Sequence, residues 1–180
     1  MQNKNLQIQI GDYFIRNWRM DDVPALTRYA NNRQVSINLR DSFPFPYREA
    51  DARAWIQAVR SMAPETHFAI ASSSEAIGGI GLVQQTDVYH HSAELGYWLA
   101  EPFWGKGIAT SAVTAFVPRA FTQFHLLRIY AGVFDRNLAS VRVLEKAGFR
   151  LEGRLKNHIS KDGEILDELL YAVTVDPSSD

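Results

Sequence analysis

The segment from Glu94 to Thr110 concentrates residue types that bind anions and move protons. Gly105 and Gly107 flank Lys106 where a predicted strand and a short loop lead into a predicted helix. The first N–H groups of a helix have no partner within it, and the helix dipole adds partial positive charge. Because glycines let a ligand approach the backbone, the segment is suited to bind a pyrophosphate. An ordinary tight turn between strand and helix explains the same spacing.

Two other phosphate-binding motifs fit this segment poorly. The Walker loop needs a Ser or Thr after its Lys, and here Gly107 follows Lys106; no glycine stands five positions before Gly105. The dinucleotide-binding fingerprint needs a third glycine, where this chain has Thr110, and an acidic residue about 20 positions further on. Residues 120–134 contain no Asp or Glu, which disfavours a nicotinamide-dependent oxidoreductase.

Composition limits the class of protein. Of the 180 residues, 46% are hydrophobic and 22% are charged, which is typical of a folded domain. The 19 basic and 20 acidic side chains leave a net charge of -1, so no nucleic-acid partner is expected. The absence of cysteine excludes disulfides and a cysteine nucleophile. Without a signal-peptide segment or a membrane-spanning apolar run, we expect a soluble cytoplasmic protein with no membrane partner.

Apolar periodicity and turn residues predict the element order β-α-α-β-β-β-α-β-α-β-β. This order predicts an α/β (α+β) fold, in which helices flank a central mixed, mostly antiparallel sheet of about seven strands. We expect one domain over residues 10–176, with frayed ends in about the first nine residues and in residues 177–180. The predicted strands are 12–19, 67–71, 76–85, 92–99, 128–134, 150–159 and 165–175, and the predicted helices are 21–30, 49–62, 108–124 and 138–147.

Local signals indicate where these elements begin, break and end. Pro118 falls inside the helix at 108–124 and is expected to break or kink it. The proline-rich segment 40–47 predicts an ordered loop. Asn137 is expected to cap the following helix, and Asp162 with Gly163 predicts a hairpin between the last two strands.

Several segments together resemble the GNAT superfamily of N-acetyltransferases. Ala93–Thr110 resembles its acetyl-CoA-binding core, and Asn137–Ser140 with Leu144–Phe149 resembles its second conserved block. Other segments are similar to the subgroup of ribosomal-protein N-terminal acetyltransferases of the RimJ/RimL type. These are Phe43–Tyr47, Glu152–Gly163 and Asp167–Tyr171. The resemblance covers the chain from about Asp12 to Val175.

The resemblance implies acetyl-CoA as cosubstrate, no metal, and a sheet that is splayed at the acetyl-CoA site. The pantetheine arm would bind the backbone of Trp98 and Leu99. The pyrophosphate would bind the loop N–H groups, here those of Gly105, Lys106, Gly107, Ile108, Ala109 and Thr110. The superfamily usually opens this loop with Gln or Arg, whereas this chain has Trp104, so a side-chain contact from that position is in question.

The reaction that the resemblance implies is direct attack of an amine on the thioester. An α-amino group, with a pKa of about 7.7–8, is substantially neutral near neutral pH, whereas a lysine amine, near about 10.4, is mostly protonated. A protein N-terminus therefore demands less of a catalytic base. Glu94, on the strand before the glycine loop, is the candidate base; a structural glutamate paired with a neighbouring strand is the alternative.

The candidate acid is less plain, because Leu144 stands where many superfamily members have a tyrosine. Ser140 is the candidate replacement that would protonate the leaving thiolate. Asn137 could bind the pantetheine or the substrate, although helix capping explains both Asn137 and Ser140. Arg142 and Lys146 are the candidates for the 3′-phosphate of CoA, with a solvated basic face as the alternative.

The acceptor side is the least specified by the sequence. Phe43, Phe45, Tyr47 and His158 are candidates to line it, and anchoring of a loop or a structural role explains them equally. No metal site is expected at His90-His91, because no third ligand lies at a recognisable spacing. A protein N-terminal amine is the first expectation for the acceptor.

Other functions and assemblies stay open from the sequence. A small-molecule amine (polyamine, amino acid or aminoglycoside) is the second expectation for the acceptor. A non-catalytic CoA-binding module is the alternative from another class, because Leu144 replaces the usual tyrosine. Either a monomer or a homodimer fits the sequence.

Overall fold

A mixed sheet of eight strands runs through residues 6–176, which are the residues that the computed structural model describes. The order of the strands is β1-β2-β3-β4-β5-β6-β8-β7. The bounds are β1 Gln7–Ile10, β2 Tyr13–Asn17, β3 His67–Ala71, β4 Ala76–Gln84, β5 Ser92–Leu99, β6 Arg128–Phe134, β7 Arg150–Lys161 and β8 Glu164–Thr174. The helices are α1 Val23–Ala30, α2 Arg33–Ser36, α3 Glu49–Arg60, α4 Ile108–Phe124 and α5 Leu138–Lys146.

The sheet is mostly antiparallel, as the sequence predicts. Antiparallel pairs join β1 to β2, β2 to β3, β3 to β4, β6 to β8 and β7 to β8. β5 and β6 are parallel, and a parallel connection needs a crossover, which α4 supplies. The register of β5 with β6 takes in Ser92–Glu94, while β5 itself continues to Leu99.

The chain forms two compact units from discontinuous segments. The first takes the residues up to 81 together with 97–112, and the second takes 82–96 together with the residues from 113 on. In the first unit, α1 and α3 present apolar residues at helical spacing to a shared core. The buried members of this core are Trp18, Val23, Leu26, Ala30, Tyr47, Ala52, Ile56, Val59, Ala69 and Ala76.

The second unit packs α5 on one face of its strands. Ala131 of β6 and Tyr171 of β8 are paired, so their side chains share a face, and both are buried. The hydroxyl of Tyr171 donates to Glu145 Oε1 of α5 at 3.1 Å. Gly148, with φ of +89°, follows α5 in the left-handed conformation that commonly ends a helix.

The predicted frayed end at residues 1–9 is wrong over the part of it that the structure describes. Residues 7–10 are not a frayed end but the strand β1, whose Ile8 and Ile10 alternate with glutamines and pair with β2 across a turn at Gly11. Residues 177–180, the other predicted frayed end, lie outside the described residues. The alternation of glutamine and isoleucine at residues 7–10 is the ordinary signature of a strand, and β1 is the eighth strand, beyond the seven that the sequence predicts.

Pro118 does not break α4, which runs without interruption from Ile108 to Phe124. Proline removes one hydrogen bond from a helix interior. The surrounding side chains Val113, Phe116, Val117 and Ala120 are buried, and this apolar packing holds the helix across that position. Among residues 6–176, no helix is long and apolar enough to cross a membrane.

Candidate active site

The glycine loop before α4 has the geometry that an anion cradle needs. Gly105 and Gly107 have φ of +74° and +76°, a conformation that glycine adopts readily and side-chain-bearing residues avoid. A Cβ at either glycine would meet nothing within 4 Å, so the space beside each glycine is open. The N–H of Ser111 makes the first helical bond, to Gly107 O at 3.0 Å. The N–H groups at 108–110 therefore have no acceptor within the helix.

Trp104 anchors this loop to the end of β5. Its indole Nε1 donates to the carbonyl oxygen of Leu99 at 2.6 Å, across a short 3₁₀ turn. The sequence marks Trp104 as a departure from the resembled pattern, and the structure gives that departure a positioning role. Lys106 Nζ lies 5.4 Å from the centroid of the Phe103 ring, which keeps a positive charge beside the loop.

The glycines of β4 allow Trp98 of β5 to pack closely against that strand. A Cβ at Gly79 would lie 2.9 Å from Trp98 Nε1, and one at Gly78 would collide with the carbonyl oxygen of Trp98. The Trp98 ring also contacts Phe43, with 5.4 Å between ring centroids. Leu99 is buried, so its carbonyl and not its side chain faces the loop that follows.

The predicted acceptor-lining aromatics separate into two environments. Tyr47 is 5% exposed, its ring lies 5.0 Å from that of Phe43, and burial raises its pKa to about 12. Its phenol is therefore neutral near neutral pH, and it belongs to the core. Phe45 is 46% exposed, with the guanidinium of Arg33 at 5.6 Å from its ring centroid. The loop conformation thus rests on Phe43 and Tyr47, and Phe45 is the accessible ring.

Glu94 lies on the second unit's part of β5, where it pairs with Tyr130 of β6. Paired residues present their side chains to the same face of a sheet, so Glu94 and Tyr130 share a face. The preceding residue, Ala93, points to the opposite face and is fully buried. Glu94 itself is half-buried. A half-buried carboxylate that alternates with a core residue can serve as a proton acceptor at the sheet surface.

The N-terminus of α5 carries the second group of predicted residues. The side-chain oxygen of Asn137 accepts the N–H of Ser140 at 3.2 Å, so Asn137 caps the helix as predicted. Ser140 is half-buried in the first turn, while Arg142 and Lys146 are exposed four residues apart on one side of α5. Leu144 is fully buried, so its position is part of the core and not of an accessible surface.

His158 is held by a bulge in β7 that the sequence does not reveal. Leu155 pairs with Glu168 and Ile159 with Leu166, so residues 156–158 face a single residue of β8, Asp167. The Asp167 carboxylate accepts from Asn157 N at 2.8 Å, Arg154 Nε at 2.5 Å and Lys156 Nζ at 3.1 Å. These donors hold the pKa of Asp167 well below its usual range. The bulge places His158 Nε2 3.4 Å from Glu168 Oε2.

Comparison with known proteins shows which family the chain belongs to. A sequence model of the acetyltransferase (GNAT) domain matches residues 13–150, so the chain belongs to the GNAT family of acetyltransferases. The protein named probable N-acetyltransferase YjcK, from Bacillus subtilis (strain 168), is 42% identical over 111 residues, which are 61% of this chain and 61% of that protein.

Two further similar proteins support the RimJ/RimL-type subgroup. The [ribosomal protein uS5]-alanine N-acetyltransferase of Escherichia coli (strain K12) is 33% identical over 84 residues, 47% of this chain and 43% of that protein. The structure of Mycobacterium smegmatis RimJ in complex with CoA-disulfide superposes with a TM-score of 0.77 and 29% identity, over 95% of this chain and 86% of that chain. The matches to YjcK and to the uS5-alanine enzyme each span less than two thirds of the relative's length. The predicted fold, family and subgroup are confirmed.

Proposed function

We propose that this chain transfers the acetyl group of acetyl-CoA to a primary amine, most readily the α-amine of a protein N-terminus. The observation that carries the proposal is the cradle at 105–110. Two glycines in the left-handed conformation open onto unobstructed space, directly before helix N–H groups that have no helical acceptor. This is a binding site for a pyrophosphate, which acetyl-CoA contains.

The other predicted cosubstrate contacts belong to this proposal. The backbone of Trp98 and Leu99 binds the pantetheine arm, and the N–H groups from Gly105 to Thr110 bind the pyrophosphate. Arg142 and Lys146 are the residues that meet the 3′-phosphate, and their exposure on one side of α5 supports this. The domain that performs the reaction spans residues 10–176.

The catalytic step follows from the chemistry of the two reactants. The amine nitrogen attacks the thioester carbonyl, forming the amide C–N bond, and the C–S bond then breaks. Glu94 takes the proton that the amine loses, and Ser140 donates a proton to the departing thiolate. Ser140 takes this role because Leu144, which is fully buried, has no hydroxyl to donate where many members of the resembled superfamily have a tyrosine.

The acceptor assignment rests on the amine pKa and on the similar proteins. An α-amine is substantially neutral near neutral pH, so one half-buried carboxylate suffices as base. A related protein is named an alanine N-acetyltransferase of ribosomal protein uS5, and a similar structure is RimJ. An acceptor on a ribosomal protein would place the reaction in the cytoplasm. A small-molecule amine is the second acceptor class.

Replacing Glu94 by Gln tests the base. The variant keeps the shape and loses the basicity, so near neutral pH the rate falls by roughly 10²-fold or more, since general-base catalysis is typically worth 10²–10⁴. Acetyl-CoA affinity stays within about twofold because the substitution changes the proton acceptor and leaves the N–H groups of the cradle intact. Above about pH 9 an α-amine deprotonates by itself, so the rate of the variant approaches that of the parent. Acceptor-dependent thiol release, measured from pH 6 to 10, checks this, and full activity at pH 7 refutes it.

A further inference from the structure

Glu168 is a carboxylate that the proposed mechanism does not use. Its side chain is only 15% exposed, and β8 places it opposite Phe134 of β6 and Leu155 of β7. Its sequence neighbour Asp167 points to the other face of the strand and is held by three donors. Within residues 6–176, the ion-pair partner of Glu168 is a single imidazole, that of the exposed His158. The Glu168 carboxylate can therefore accept further hydrogen bonds, whereas three donors already occupy the Asp167 carboxylate.

Gly132 provides the space that the Glu168 carboxylate occupies. Gly132 and Phe134 lie two residues apart on β6, so they share the face of Glu168. A Cβ added at Gly132 would overlap the carboxylate, which therefore lies back over β6 instead of extending into solvent. Glycine within a strand weakens it and often marks a close approach. Here the close approach is that of a carboxylate.

The same face carries the proposed base. Glu94 pairs with Tyr130 of β6, and Tyr130 and Gly132 are again two residues apart, so Glu94 and Glu168 share a face. Strands lie about 4.8 Å apart, which puts β5 and β8 about 10 Å from each other across β6. Helix α5 covers the opposite face, through the bond from Tyr171 to Glu145. Two carboxylates thus flank the Tyr130–Gly132 segment.

We propose that Glu168 binds the ammonium form of the acceptor amine on this face, with His158 beside it. The inference rests on the proposed function and adds the group that recognises the acceptor. A charge-assisted hydrogen bond to a half-covered carboxylate is stronger than one between neutral groups. The bound ammonium first releases one proton to water, which frees the nitrogen lone pair, and Glu94 then takes the second proton as the nitrogen attacks, while Glu168 stays ionised. Specificity for a cationic amine, peptide α-amine or polyamine, depends on Glu168.

Replacing Glu168 by Gln removes the charge and keeps the size. The KM for the acceptor rises by tenfold or more, kcat changes by less than threefold, and acetyl-CoA affinity stays within twofold. The acceptors are a short peptide with a free α-amine and spermidine. Glu164→Gln, on the same strand, removes a surface carboxylate that pairs with Arg136 and leaves all three quantities unchanged.

Gly132→Ala displaces the same carboxylate without removing a charge. The atoms that its Cβ meets belong to the flexible end of Glu168, so the variant folds, with an unchanged or higher Tm. The acceptor KM rises by at least threefold. The matched control is Gly153→Ala on β7, where an added Cβ meets nothing within 4 Å, and its KM stays at the parent value.

The outcomes separate this inference from the proposed function. An acceptor KM that is unchanged in folded Glu168→Gln and Gly132→Ala overturns the role of Glu168, and so does a loss of kcat and Tm at constant KM. If the parent chain releases no thiol with either amine, the proposed function fails. Calorimetric titration with the same two amines then decides: weaker binding by Glu168→Gln supports the ammonium site, and equal binding overturns it.

Discussion

A substitution at Gly107 can weaken phosphate binding through side-chain bulk and backbone strain or through added negative charge. Two variants of similar size distinguish these effects. The Gly107 φ of +76° strains most side chains, but Asn and Asp tolerate this region better than other residues. Gly107→Asn therefore tests bulk and strain, and Gly107→Asp adds a negative charge where the phosphate approaches. We expect Asp to weaken acetyl-CoA binding at least tenfold more than Asn, as measured by titration calorimetry. Equal affinities of the two folded variants would contradict a phosphate at this loop.

Asp167 predicts how stability depends on pH. Three donors lower its folded-state pKa, whereas the unfolded carboxyl titrates near about 3.9. Its contribution to stability is therefore complete above the unfolded pKa and is lost as the pH falls through the folded pKa. We expect Asp167→Asn to be less stable at pH 7, and the difference to shrink below about pH 4. Urea unfolding midpoints from pH 7 to 2.5 measure it, and a difference independent of pH would contradict the ion-pair network.

Individual residues differ in how far the sequence reveals them. The glycines at 105 and 107 are predictable, because their spacing before a helix is local information. Glu168 is not predictable from the sequence, because its environment depends on which residue of β6 lies beside it. Leu144 shows the same limit: the sequence reveals a missing tyrosine, and only the fold shows that its position is core.

One of the contacts that hold the loop between β5 and α4 is the hydrogen bond from the Trp104 indole to the carbonyl oxygen of Leu99. Trp104→Phe keeps an aromatic ring and removes the donor, and a hydrogen bond is worth about 0.5–1.5 kcal/mol net. We expect acetyl-CoA affinity to fall by roughly two- to tenfold, with little change in Tm. The matched control is Trp55→Phe on α3, where the ring contacts His67 edge-on. Equal affinities of the two variants would show that the bond does not position the cradle.

Strand and helix limits were predictable where the signals are local and strong. The structure gives β6 the predicted bounds, Arg128–Phe134, and the hairpin turn at Asp162-Gly163 has φ of +53° and +81°. The sequence pattern does not predict the short helix α2, because its four residues make barely more than one turn and cannot show a repeated apolar spacing. The continuity of α4 through Pro118 depends on packing against other elements, which local propensity does not contain.

At the scale of the whole chain, the family model over residues 13–150 and the superposition on RimJ over 95% of the chain agree on the fold. Fold alone does not fix a substrate, because function depends on the site that the fold carries. The fold therefore does not identify the acceptor, which must be argued from the chemistry of the amine. The pKa difference between α-amines and lysine side chains makes a specific prediction about that choice.

Acceptor-dependent release of CoA thiol from acetyl-CoA tests the central claim most directly. The panel holds a peptide with a free α-amine, the same peptide with its N-terminus acetylated but a lysine retained, and spermidine, all at pH 7. We predict thiol release with the free α-amine peptide, a much lower rate with the blocked peptide, and loss of the first rate in Glu94→Gln. Tight acetyl-CoA binding with no thiol release from any of the three amines would contradict the account and indicate a CoA-binding module.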